Sequence, residues 1–442
     1  MQTILVAGAG KSSIYLIEYL LENASRNKWH IIVADGDADA IARKIGKHSR
    51  AEAAVIDINK KAEREPLVKR ADIVLSLMPP HLHILLAKDC LKYNKNLITS
   101  SYISDEMKEM DAEVKAAGLM FMCEMGLDPG IDHMTASKII NSIRKVAGLI
   151  LSFKSYCGGL IAPESDTNPW HYKFSWNPRN IINAGMDGAH YLQNGKNIEV
   201  PYAKMFENNK KIKIPGLNAL AYYPNRDSLK YLELYDVPEI KTFMRATLRY
   251  PAFCRGWNAL MKLGLINDTD QIDTTGLTYT AWVQQKIGYR GKTGLEKHVA
   301  EMLGLPEGDP TIGLLVWLGI FTDESLPGGV KSSSDILLEL LLRQWKMNPA
   351  DKDMVVMEHE IEYEHKGRMI TLSSSMVLKG DGGDHTAMAK TVGLPMGILA
   401  SLVLGGKLKP PVGVVLPVMQ SVYRPVLREL EHFGIIFKDE VR

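Results

Sequence analysis

Residues 3–16 read TILVAGAGKSSIYL, and two phosphate-binding templates overlap in them. A nucleoside-triphosphate P-loop needs Gly-x-x-x-x-Gly-Lys-Ser/Thr. With Gly10, Lys11 and Ser12 fixed, its first glycine falls on Leu5, inside an apolar run, so that template fails. The dinucleotide turn Gly8-x-Gly10-x-x-Ser13 fits, because a strand-like TILVA precedes it and an apolar-periodic helix follows it. In such a turn Gly8 permits the tight bend and Gly10 lets the backbone approach a pyrophosphate. The helix N-terminus around Ser12 and Ser13 supplies N–H donors and positive dipole. Ser13 replaces the usual third glycine and is small enough for close helix–strand packing. Lys11 is either an added charge near the phosphates or a solvated first-turn lysine.

Working outward, a second strand, WHIIVAD, ends at Asp35, where a ribose-binding acid belongs. An acid there accepts from ribose hydroxyls and repels a 2′-phosphate, so the expected cofactor is NAD, with NADP the second choice. Strand-like AEAAVIDI, ADIVLSLMP, KNLITSSY and LMFMCEMGLDPG follow, with helical patterns between them. This alternation predicts an α/β fold with a Rossmann-type doubly wound parallel sheet, ligands lying at the strand C-terminal ends. Those ends carry Asp57, Met78, Pro79, Ser101, Tyr102 and the loop around Leu127 and Asp128. His81 and His83 lack a third ligand nearby, and helix-start packing is the expectation for both.

The whole chain sets limits. It has 442 residues, 46% hydrophobic and 24% charged, which suits a globular protein of two or three domains. A net charge of +2 without a basic block argues against nucleic acid. No apolar run uninterrupted by charge is expected to span a bilayer, and no secretory signal is read at the N-terminus, so the expected location is cytoplasmic. The four cysteines, Cys90, Cys123, Cys157 and Cys254, fit no metal framework, and no metal is expected.

Beyond residue 125 the sequence becomes more specific. MGLDPGIDHM (125–134), SYCGGLIAPESDTNPWHYKFSW (155–176), YPNRDS (223–228) and RATLRY (245–250), together with TSSYIS (99–104), occur in order. With them the chain closely resembles the saccharopine dehydrogenase family of the glutamate-forming type, through to HTAMAKTVGLP at 385–395. The resemblance implies an enzyme of lysine metabolism. Family members interconvert saccharopine with glutamate and 2-aminoadipate 6-semialdehyde using NAD or NADP. It also implies a homodimer and three domains: a Rossmann domain over 1–125 and 380–442, an α/β substrate and dimerisation domain over 126–250 and 353–379, and a small helical domain over 251–352. Asp128 takes a substrate-contacting, acid–base role and Cys157 a place near the reacting centre. The loop GAGKSS and the pair Trp170-His171 depart from the family pattern, and Asp35 resembles the NAD-using branch.

The chemistry asks for the same residue types. Saccharopine is a secondary amine with three carboxylates; its oxidation needs carboxylate binding and proton transfer in several steps. Arginine's planar fork suits carboxylates, which singles out Arg226, next to Asn225 in the polar turn PNRDS. Arg245, Arg249 and Lys173 are further cations, each with a surface ion pair as the plain alternative. Phe174 and Trp176 either wall the site or belong to the core. Asp128 is also readable as a helix N-cap before Pro129. Ser101 is a substrate-binding candidate and Tyr102 orients a proton. Cys157 follows a strand and precedes Gly158-Gly159, where a substrate can come close. Competing readings are a related imine reductase, acting on carboxynorspermidine or lysine, and a dinucleotide-binding regulator without turnover.

Overall fold

A computed structural model describes residues 1–207 and 209–441. Contacts divide the chain into two compact units: Met1–Ile150 with Glu233–Val237 and Glu362–Arg442, and Leu151–Leu232 with Pro238–Ile361.

The first unit carries the expected parallel sheet. Strands β1 (Gln2–Ala7), β2 (Trp29–Asp35), β3 (Ala51–Val55), β4 (Ile73–Ser76), β5 (Asn96–Thr99) and β6 (Met120–Met122) alternate with helices α1 (Ile14–Asn27), α2 (Ala38–Ile45), α3 (Lys61–Arg70) and α4 (His83–Lys92). The seven-stranded sheet runs β6-β5-β4-β1-β2-β3, and Gly413–Val415 adds a parallel strand beyond β6. The order reverses beside β1, which places the glycine turn at the topological switch point. β1 and β4 are buried on both faces, so their central residues Ile4, Leu5, Val6, Val74 and Leu75 are all apolar, as a covered parallel sheet requires.

The glycine turn is packed from behind by the late helix Ala387–Leu404. A Cβ at Gly393 would stand 3.0 Å from the Ser12 carbonyl oxygen, and one at Gly397 would stand 3.0 Å from Leu16 and Tyr19 side chains. The two glycines let this helix settle closely against α1. At 18 residues and a mean hydropathy of 1.6 the helix has the length and composition of a membrane span, although Lys390 interrupts its apolar run. It is 67% buried against its own unit, as the core helix of a globular unit is. The turn GDGGDH before it closes on itself, Asp381 N–H donating to the His385 carbonyl at 2.8 Å, and returns the chain to α1. There Tyr15 Oη donates to Asp381 at 2.6 Å and His385 Nε2 lies 2.8 Å from Glu18.

In the second unit the long strand Leu149–Ile161 pairs in parallel with Thr242–Arg249, which pairs antiparallel with Leu220–Pro224. The stretch 251–352, expected to be helical, carries the helices Pro251–Lys262, Tyr279–Ile287, Leu295–Met302, Pro310–Leu318 and Ser333–Gln344. Their core is aromatic: Trp170, Tyr172, Phe174, Phe253, Trp257 and Trp345 are buried together. Trp170 Nε1 donates to the Leu314 carbonyl at 3.0 Å, so this family-divergent indole is a satisfied core residue.

Candidate active site

At the glycine turn Gly8 has φ +106°, and a Cβ there would sit 3.1 Å from the Leu77 backbone. Only glycine fits this bend without strain. At Gly10 a Cβ would meet nothing within 4 Å, so that position opens onto free space, as a turn that admits a phosphate must. The Ser13 hydroxyl is buried and donates back to the Gly10 carbonyl at 2.9 Å, which fixes the mouth of the turn. Lys11 is exposed. Sequence reasoning overlooked Lys44, whose ammonium reaches the Ala9 and Gly10 carbonyls. Burial lowers its pKa, against the opposing pull of Asp384 and Asp35.

Asp35 stands at the end of β2 as expected. One carboxylate oxygen accepts from Ala9 N–H at 2.6 Å and the other from Asp37 N–H at 3.0 Å. It thus holds the glycine turn. Beside it a cleft of about 440 Å³ is lined by Asp35, Asp57, Met78 and Leu82 among others. Asp57 is exposed and accepts from the Asn59 backbone N–H at 3.0 Å and its side-chain amide at 3.1 Å. Pro79 precedes the short turn Pro80–Leu82 that leads into α4. Glycine turn, acid and cleft together fit the adenosine and pyrophosphate portions of a dinucleotide.

Further along the same sheet edge a polar constellation is assembled. The Tyr102 hydroxyl donates to Asp128 Oδ1 at 2.8 Å. Asp128 is not a helix N-cap: the helix begins at Ile131, its cap position is Gly130, and Asp132 takes the Gly130 N–H at 2.6 Å. The loop 126–130 curls tightly, Gly126 N–H donating to the Pro129 carbonyl at 3.0 Å. Leu127 is buried in it, and a Cβ on Gly126 would press on the Ser100 carbonyl at 3.0 Å.

Glu124 is a keystone of this loop. It is fully buried at φ +56°. Its Oε1 accepts from Ile103 N–H at 3.0 Å, directly after Tyr102, and its Oε2 meets His133 Nε2 at 2.7 Å. His133 Nδ1 in turn meets the Tyr235 hydroxyl at 2.6 Å. His83 differs from the packing expectation too. It is buried, with Nδ1 2.8 Å from Ser76 Oγ and Nε2 2.9 Å from Ser101 Oγ. No sequence signal pairs these groups, since they come from separate strands and a helix start.

In the second unit the expected residues scatter more. Cys157 does not follow its strand but lies within it, opposite Thr247, and is buried. Gly158 is set by packing, not substrate approach: a Cβ there would stand 2.6 Å from the Leu248 carbonyl oxygen of the neighbouring strand. Lys173 is neither a surface pair nor a spare cation; its ammonium is buried against Asp351 at 2.7 Å. Phe174 is core, and Trp176 is partly buried with its indole N–H on the Tyr172 hydroxyl at 3.1 Å. Arg226 adopts φ +53° and pairs with Asp187 at 2.6 Å, the guanidinium about half exposed. Asn225 donates its backbone N–H to the Arg245 carbonyl at 2.8 Å. Arg245 is buried, its guanidinium 4.6 Å above the Tyr231 ring. Arg249 is buried between Tyr172 and Phe253. Among the described residues no group of three or more His, Cys, Asp or Glu could hold a metal ion.

Comparison with known proteins extends this geometry. Residues 4–122 match the saccharopine dehydrogenase NADP binding domain, and residues 126–435 match the saccharopine dehydrogenase C-terminal domain. The chain is 36% identical over 446 residues to the mitochondrial alpha-aminoadipic semialdehyde synthase of Bos taurus, covering 98% of this chain and 47% of that protein. It thus spans about half the length of that relative. It is 32% identical to the NADP(+), L-glutamate-forming saccharopine dehydrogenase of Schizosaccharomyces pombe, covering 100% of this chain and 99% of that protein. Among solved structures, the apo saccharopine dehydrogenase (L-Glu forming) of Saccharomyces cerevisiae superposes with a TM-score of 0.89 at 30% identity, over the full length of both chains.

Proposed function

Because the chain belongs to the saccharopine dehydrogenase family, we propose that it is a saccharopine dehydrogenase of the L-glutamate-forming kind. The reaction converts saccharopine, NAD(P)+ and water into glutamate, 2-aminoadipate 6-semialdehyde and NAD(P)H. The observation that carries this reading is the Tyr102–Asp128 hydrogen bond at the C-terminal edge of a dinucleotide-type sheet.

The chemistry supplied by a bound nicotinamide is acceptance of a hydride from the carbon next to the secondary amine. What remains is proton movement, and the Tyr102–Asp128 pair supplies a hydroxyl and a carboxyl in series. Asp128 takes the amine proton as the C=N bond forms, gives it back to that nitrogen as water adds, and then takes the proton that the added water releases. It returns a proton to the departing glutamate nitrogen, and Tyr102 holds the carboxyl in position throughout. Ser101 and Arg226, with the neighbouring Asn225, are assigned to substrate carboxylates. Cys157, in its buried strand, and Trp176 are assigned to the reacting centre and its wall. Lys173 acts by holding Asp351, not by meeting substrate. Gly8, Gly10, Ser12, Ser13, Asp35, Asp57, Met78, Pro79 and Leu127 are assigned to the dinucleotide, with Lys11 an auxiliary charge.

The Schizosaccharomyces pombe relative is named an NADP(+) enzyme and residues 4–122 of this chain match a family described as NADP binding, whereas Asp35 would put a negative charge where a 2′-phosphate lies. Our reading therefore gives this chain a preference for NAD. It includes a cytoplasmic homodimer. Exposed Met369, Val377 and Val441, on strands that pair with each other, supply apolar surface for a second copy. The test is absorbance of reduced nicotinamide with saccharopine and either cofactor, together with glutamate release. Turnover on lysine or carboxynorspermidine alone would instead support the imine-reductase reading. Dinucleotide binding without turnover on any of them would support the regulator.

A further inference from the structure

The relay through His83 is not used by the chemistry above. Ser76 ends β4, Ser101 lies just past β5, and His83 opens α4 between them. Ser76 and His83 are buried, and Ser101 is partly exposed beside Tyr102. Burial, with His81 nearby, lowers the His83 pKa to about 4, so the imidazole is neutral at physiological pH. A neutral imidazole has one N–H and one lone pair. Facing a hydroxyl at each end, it can run its hydrogen bonds in either of two directions. In one, Ser101 donates to His83, and its proton is turned away from a ligand. In the other, Ser76 donates to Nδ1, Nε2–H donates to Ser101, and the Ser101 proton is left to point outward. A carboxylate has only acceptors, so only the second direction serves it.

We propose that Ser76 and His83 are positioning residues for the reaction: they form a one-way hydrogen-bond relay that commits the Ser101 hydroxyl to donate to a substrate carboxylate. This rests on the saccharopine reading above. Ser76 and His83 are buried and already in place, so only the protons have to align when substrate arrives. A hydroxyl that also accepts from an imidazole N–H is a stronger donor, since chained hydrogen bonds polarise one another.

The experiment uses the full chain and the variants His83→Asn, His83→Gln, Ser101→Ala and His83→Asn/Ser101→Ala. Asparagine keeps a partner for Ser76 but cannot reach Ser101, whereas glutamine places an amide N–H near the Nε2 position. We expect His83→Asn to raise KM for saccharopine about 3–10-fold, in keeping with one lost hydrogen bond. Its Kd for dinucleotide, read by fluorescence, should not change, and His83→Gln should recover most of the loss. In the Ser101→Ala background His83→Asn should add nothing. Equal KM effects with and without Ser101, or none in either, overturn the relay. Should the His83 variants not fold, ¹⁵N shifts of His83 in the wild type with saccharopine decide: an Nε2–H tautomer supports the relay and an Nδ1–H tautomer overturns it. Wild-type protein that binds dinucleotide yet leaves saccharopine unoxidised sinks the saccharopine reading itself, and with it the ligand assigned to Ser101.

Discussion

Replacing Glu124 by alanine removes the acceptor of Ile103 N–H and the partner of His133 Nε2 in one step. Each buried donor left without a partner costs about 1–3 kcal/mol. His133 is fully buried and bears the full cost, while Ile103 is half-buried and water can replace part of its bond. The expected destabilisation is therefore about 2–4 kcal/mol. For a unit of this size that corresponds to a fall in Tm of about 4–16 °C. The left-handed backbone at this position offers an internal control. At φ +56° an alanine pays about 1–2 kcal/mol that glycine does not, and glycine's greater unfolded-state freedom returns about 0.5–1. Glu124→Gly should thus be more stable than Glu124→Ala by about 1 kcal/mol, although it has lost more atoms. Glu124→Gln, which keeps an acceptor for one donor, should fall between wild type and Glu124→Ala. Because Ile103 follows Tyr102, kcat should fall along with stability. Thermal unfolding and steady-state rates of the three variants decide. A Glu124→Ala protein within about 1 kcal/mol of wild type would refute the assignment of this carboxylate as the anchor of the loop.

Other outcomes are expected. Asp35→Arg should move the NADP-to-NAD preference by about 10–100-fold toward NADP, since it replaces a repelling charge with a pairing one; unchanged selectivity would mean that Asp35 serves only the glycine turn. Arg226→Ala should raise KM for saccharopine while leaving dinucleotide Kd alone, and equal loss of both would point to misfolding. The Arg70 hydrogen bond, with burial opposing and His30 assisting, lowers the Glu52 pKa to about 2. Its stabilisation is complete above the unfolded carboxylate pKa and is lost as pH falls toward about 2. The Tm gap between wild type and Glu52→Gln should accordingly close over that window and stay constant above it. Burial pushes the Cys123 and Cys254 thiols up to about 12, so neither should react with thiol reagents at pH 8 until the protein unfolds.

What the sequence conveyed well was local. WHIIVAD is a strand residue for residue, because β-branched periodicity and the bounding turn both lie within those seven positions. Gly8 and Asp35 are legible because the turn and the next strand end sit at a fixed spacing. The constellation around Tyr102 is less so. Its aspartate is readable from the GLDPG loop, but Glu124 reveals neither its positive φ nor its partners, Ile103 from a loop and His133 from a helix, the latter held in turn by Tyr235, 102 positions further on. His83 looked like helix-start packing because the hydroxyls at its two nitrogens are brought together only when β4 and β5 align. The partner of Lys173 was illegible for the same reason: Asp351, its counter-charge, is 178 positions away. The strand Gly413–Val415 is three residues long, too short for any periodicity to mark it.

The close seat of the helix Ala387–Leu404 on α1 has a consequence for synthesis of the chain. The face of α1 that receives Gly393 and Gly397 is finished within the first thirty residues, but its cover is translated only after the entire second unit. At ribosomal speeds of roughly 5–20 residues per second, that surface waits roughly 20–70 s for its partner. Until then the face of α1 that Gly393 and Gly397 cover has no partner from its own unit. Apolar surface that waits for a late partner is where a folding chain is open to aggregation, and shielding of α1 is the expected need.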